Sequence, residues 1–128
     1  SVQDDVITIG TYNSIIRSLW PSSSRGPNIE NRQKPDVVAP GVNIIGPYLN
    51  NSYATITGSS AAAAHASGSI ALFFEYIIAQ NNYPNKGFMQ MVRTFMQGGA
   101  VRIGDEVYPN NITGYGLLNF RGMFDQLK

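Results

Sequence analysis

Residues 58–68 constrain the chain most. Gly58 and Gly68 bracket nine residues, of which only His65 is neither Ala nor Ser. A polar, extended-looking run precedes them at 52–57, and an apolar run follows at 69–79. A strand is expected to end at Gly58 and a helix to start at Ser59 or Ser60. Ala is the best helix former, and a run of small side chains lets a helix lie close to its neighbours. We therefore expect this helix, to about residue 80, to be central and buried through Ala63, Ala64, Ser67, Gly68 and Ala71.

A serine in that first turn has two readings. It is an N-cap, for which Ser is a preferred residue. Or it is a nucleophile held at the positive end of the helix, where free backbone N–H groups stabilise a developing oxyanion. Two other serine motifs do not fit. A Gly-x-Ser-x-Gly elbow needs glycine where Ala62 stands, and a Ser-x-x-Lys site needs lysine where Ala63 stands.

The rest of the chain reads as alternating strands and helices. Residues 6–9 form a β-branched strand closed by Gly10, and residues 15–20 a short strand or a loop anchored by buried Ile and Trp. Residues 21–28 are turn chemistry. Residues 36–39 form a buried strand followed by the Pro40-Gly41 turn, with Asp36 in a structural role as a local turn or cap. Residues 52–57 form the strand leading into Gly58. Residues 81–85 stop the long helix. Phe88, Met91, Val92, Phe95 and Met96 recur at helical spacing as the core face of a second helix, which Gly98-Gly99 should end. A small hairpin is expected around Gly104-Asp105, and a terminal helix at 120–128.

Four of these stretches carry a resemblance to one family. Gly58-Ser59-Ser60-Ala61-Ala62 followed by His65-Ala66-Ser67-Gly68 resembles the nucleophile motif of subtilisin-like serine proteases. Ser60 falls on the nucleophile and Ser59 on the family's threonine, and Ala64 replaces its usual proline. Lys34-Pro35-Asp36-Val37-Val38-Ala39-Pro40-Gly41-Val42-Asn43-Ile44 resembles a second family segment, Ser23-Ser24-Arg25-Gly26-Pro27 a third, and Gly114-Tyr115-Gly116-Leu117-Leu118-Asn119 the closing one. The strand at 6–10 is similar to a family strand, and the C-terminal half looks most like the Csp-type subtilases of spore germination.

The resemblance implies an α/β fold: a mostly parallel sheet with flanking helices, the C-terminal portion of a subtilisin-like fold. It implies that residues 1–128 are one partial catalytic domain lacking its N-terminal half, as a start so close to a strand also suggests. It implies peptide-bond hydrolysis with Ser60 as nucleophile, supported at the oxyanion by Ser59 and Gly58. The family's catalytic Asp and His and its oxyanion Asn lie upstream, so the chain alone is expected to be inactive and to self-associate. A pseudoprotease acting by binding is the alternative within the family, and a self-contained α/β binding module the alternative outside it.

His65 is the sole histidine. Five residues of helix turn through about 500°, which points it some 140° away from Ser60. It is expected to be packed and bonded to backbone, not to act as the base. Charged residues make up 13% of the chain and its net charge is +1, so nucleic acid is not an expected partner. With no cysteine, disulfides and thiolate metal sites are excluded. No run is read as long enough to span a membrane, and no cofactor is expected. The resemblance admits calcium, without ligands identified here, and suggests an extracellular or spore-associated location that the residues themselves leave unknown.

Overall fold

A computed structural model describes residues 6–81, 84 and 86–128. The order is β1 (Ile9–Asn13), β2 (Ser18–Leu19), β3 (Val37–Pro40), β4 (Ile44–Tyr48), β5 (Ser52–Ile56), α1 (Ser59–Ala79), α2 (Phe88–Gly99) and α3 (Phe120–Asp125). β1 pairs parallel with β3, and Leu117 extends this parallel centre by a bridge to Val38. β2 is an antiparallel edge on β1, and β4–β5 form a separate antiparallel hairpin. The α/β class holds. The expected parallel arrangement is confined to the centre of a mixed set of pairings.

β1 starts where the sequence pattern placed a strand end. It runs through Gly10, because the backbone there lies against β3: a Cβ would sit 2.9 Å from Val38 Cγ1. Glycine in a strand interior often marks such an approach. Residues 14–17 form a turn, with Ile15 and Ile16 exposed, so they are not buried anchors. Ser23 is no linker residue. It is buried and its Oγ accepts the Thr11 N–H at 2.9 Å.

α1 packs on β1 and β3. Its buried residues are Ala62, Ala66, Phe73 and Ile77, one stripe at spacings of four, seven and four. The expectation of burial at Ala63, Ala64, Ser67, Gly68 and Ala71 is overturned: all five are exposed. They lie off the stripe that meets the sheet, and no element among the described residues covers them. At 21 residues and a mean hydropathy of 1.3 over its most apolar stretch, α1 is also long and apolar enough to cross a membrane, contrary to expectation. Here its apolar stripe is part of a core: Phe73 meets Phe95 at 5.1 Å and Phe124 at 5.5 Å between ring centroids, over Val37, Val92, Met96 and Met123. Each such fully buried side chain contributes about 1.5–3 kcal/mol.

α1 ends at Ala79, with Asn81 left-handed at φ 54. Asn82, Tyr83 and Asn85 of the expected stop lie outside the described residues, as do residues 1–5. α2 carries the expected core face, with Val92 and Met96 buried. It ends at Gly99, as expected, and α3 crosses there: a Cβ on Gly99 would fall 2.6 Å from Met123 N. The turn at Gly104-Asp105 forms without a strand ladder; the Tyr108 hydroxyl closes it, accepting from Ile103 N at 2.9 Å and donating to Ile103 O at 3.0 Å.

Asp36 is structural, as expected, but it is no local cap. It is 3% exposed. Its carboxylate accepts from Thr8 N at 2.7 Å and Gln97 Nε2 at 3.2 Å, and pairs with Lys34 Nζ at 2.8 Å and Arg93 Nε at 3.3 Å. Its own N–H and C=O bond Thr8 O and Tyr115 N. The closing Gly-x-Gly is explained by the same place. Gly114 has φ 61, and a Cβ on it would lie 2.2 Å from Pro35 O and 2.4 Å from Asp36 O.

Two substitutions test this frame by chemical denaturation. Gly114→Ala adds a backbone collision to left-handed strain and should cost about 2 kcal/mol or more, whereas Gly104→Ala, at φ 69 with open space around it, should cost only the strain, about 1 kcal/mol. Equal losses would remove the close approach as the reason for Gly114. Asp36→Asn removes the counter-charge of buried Lys34 and part-buried Arg93 and should cost about 3 kcal/mol or more.

Candidate active site

The site is assembled by Gly41 and Gly58. Gly41 follows β3, and its N–H bonds Tyr12 O at 3.0 Å. Its carbonyl accepts the Gly58 N–H at 2.8 Å, which seats the start of α1 on the carboxyl end of the sheet. The contact is too close for any other residue: a Cβ on Gly41 would lie 2.7 Å from Gly58 O and 3.0 Å from the Ala62 Cβ. The β4–β5 hairpin is fastened at its base by Asn43 N donating to Thr57 Oγ1 at 2.9 Å.

The N-cap is Gly58, with no side-chain capping bond. The capping reading of the serines therefore fails. Ala61 is the first residue bonded back, to Gly58 O at 3.1 Å. The N–H groups of Ser59 and Ser60 precede it, in the turn where a helix leaves its donors unpaired. Both side chains are exposed. Gly58 stands against Ser60: a Cβ on Gly58 would lie 3.6 Å from Ser60 Oγ. So the three residues singled out in the sequence do come together, as a hydroxyl beside free amides at a positive helix end.

A cleft of about 440 Å³ opens between the hairpin and α1, floored by Ile44, Gly46 and Ile56 and walled by Ala61, Ala64 and His65. His65 is bonded to backbone as expected, Nδ1–H to Ala61 O at 3.1 Å, but it is exposed and not packed. The bond turns the ring back along the helix. No side chain able to take a proton is brought to Ser60 by the described residues. No three His, Asp or Glu side chains converge on a metal position among them either.

Sequence reasoning missed Gly41 as a site residue and read it only as a turn. The signal was there in Pro40-Gly41, but its partner, Gly58, is 17 positions away. Gly41→Ala should move Gly58 and loosen the first turn of α1. Hydrogen exchange at Gly58 and Ala61 should speed up, with about 2 kcal/mol of stability lost, while Gly46→Ala, where a Cβ meets nothing within 4 Å, should leave both unchanged.

Comparison with known proteins agrees with this architecture. The subtilase family matches residues 1–116. Subtilisin DY of Bacillus licheniformis is 32% identical over 91% of this chain and 36% of its own length. The major intracellular serine protease of Bacillus subtilis is 38% identical over 57% of this chain and 21% of its own. The structure of the Clostridium perfringens CspB protease superposes on 95% of this chain with a TM-score of 0.85 at 35% identity, using 26% of that chain. The Csp-type likeness read from the C-terminal half thus has a structural counterpart. The chain spans about a third or less of these relatives, and by the extent of the match it belongs to the subtilase family.

Proposed function

We propose that this chain is the nucleophile-bearing portion of a subtilisin-like serine endopeptidase and that Ser60 attacks the scissile carbonyl of a peptide or protein substrate. The observation that carries the reading is the exposed Ser60 in the uncapped first turn of α1, one residue before Ala61, which lines a cleft. The Ser60 N–H donates to the oxyanion, with the Ser59 hydroxyl beside it and Gly58 giving the approach. A base, its orienting carboxylate and a second oxyanion donor come from a preceding half of the domain. The chemistry calls for no cofactor.

That missing half is also the partner we propose for the uncovered face of α1. Ala64, Gly68, Ala71 and Leu72 are exposed there, and the hairpin presents Ile45 and Tyr53 to solvent. Left uncovered, such surface favours self-association of the isolated chain.

A fluorophosphonate probe tests the reading. The full-length protein should be labelled, Ser60→Ala should abolish labelling and peptide cleavage, and this chain alone should not react, because no base activates the hydroxyl. His65→Ala should leave labelling in place and cost under about 1 kcal/mol, since one exposed hydrogen bond is lost. An intact, folded full-length protein that takes no label would favour the pseudoprotease reading. Loss of labelling in His65→Ala equal to that in Ser60→Ala would overturn both assignments.

A further inference from the structure

A second cleft, of about 440 Å³, is lined by Tyr12, Arg17 and Leu117 and by Val101, Arg102 and Ile103 of the loop after α2. It is separate from the cleft between the hairpin and α1, with which it shares no lining residue. Its floor is apolar, and half-exposed Val101 shows that the floor is open to a ligand. Its charged groups are both guanidiniums. Arg102 is placed by Tyr108, its guanidinium carbon 5.8 Å from the ring centroid. Tyr108 is in turn fixed at both atoms of the Ile103 backbone. Arg17 stands in the turn between β1 and β2 at φ 52, a backbone region arginine seldom adopts. Among the described residues no carboxylate pairs with either guanidinium. Glu106 lines an adjoining hollow of about 230 Å³ with Arg17, and its carboxylate accepts from Asn110 Nδ2 at 3.4 Å.

We propose that this cleft is an interaction site for an extended acidic peptide segment, in which one apolar side chain enters between two carboxylates. The carboxylates meet Arg17 and Arg102, whose planar forks suit bidentate pairing. The apolar side chain covers Val101, Ile103 and Leu117. Charge complementarity selects this occupant: the cleft lines two unpaired cations on an apolar floor in a chain whose net charge is only +1. The site stands independently of the role of Ser60.

The test uses the full-length protein as Ser60→Ala, so that no peptide is cleaved, and a fluorescein-labelled peptide with Glu-Leu-Glu flanked by glycines, read by fluorescence anisotropy. Binding should weaken at least about tenfold in the Arg17→Gln, Arg102→Gln double variant and by less in the double lysine variant, which keeps the charges and loses the forks. It should weaken similarly in Val101→Glu, which sets a carboxylate against the ligand without touching either arginine. Peptides with Gln-Leu-Gln or Glu-Gly-Glu should bind more weakly than the parent peptide in the unmodified cleft. Undiminished binding in the double glutamine variant and in Val101→Glu overturns the site. Equal binding of Gln-Leu-Gln removes the role of charge, and equal binding of Glu-Gly-Glu removes that of the floor; either result overturns the proposal as stated.

Discussion

The buried carboxylate of Asp36 is the constraint on which the rest depends. Three hydrogen-bond donors and one further cation converge on it from three parts of the chain: Thr8 ahead of β1, Lys34 beside it and Gln97 on α2 as donors, and Arg93 on α2 as an ion-pair partner. Lys34 and Arg93 then share Val6 O. A charge taken out of water is tolerable only with such company, because desolvation costs several kcal/mol per ion. The gain is chiefly positional. The carboxylate aligns β1 with β3, sets α2 against the sheet, and leaves the Asp36 carbonyl free for Tyr115 N.

From that anchor the geometry at Ser60 follows along a short path. β3 leads from Asp36 to Gly41, Gly41 holds Gly58, and Gly58 starts α1. Each link is a main-chain hydrogen bond or a glycine contact, with no flexible side chain between them. The attack we propose for Ser60 needs a hydroxyl held within a few tenths of an ångström, which such a rigid path provides. Ser60 is therefore placed by the sheet and not by its own helix, which has no side-chain cap.

The helix that carries Ser60 has two unlike sides. One stripe holds Phe73 and Ile77 in the core. The opposite side, with Ala64, Gly68 and Ala71, is small and uncovered. Small residues on a helix give away apolar area, and what they allow in return is close approach of another element. Here that approach is not realised among the described residues.

Much of this was legible in the sequence. The Gly-Ser-Ser-Ala motif, the Lys-Pro-Asp segment and the closing Gly-x-Gly identify the family, and the 88–96 periodicity gave the core face of α2, because these are local patterns of residue type. What was not legible depended on which partner arrives. β4 was hidden by Pro47 and by Asn50 and Asn51, whose left-handed turn closes the hairpin. Gly10 looked like a stop, yet β1 continues through it, since Val38 comes too close for a side chain, whereas α2 does end at Gly99. A glycine that ends an element and one that admits a neighbour are identical in sequence. The composition of α1 marked it as a helix of close contacts, but only the tertiary structure decided which stripe the sheet would take, because Ala and Ser on either side offer the sheet nearly the same surface and the large Phe73 and Ile77 settle the rotation.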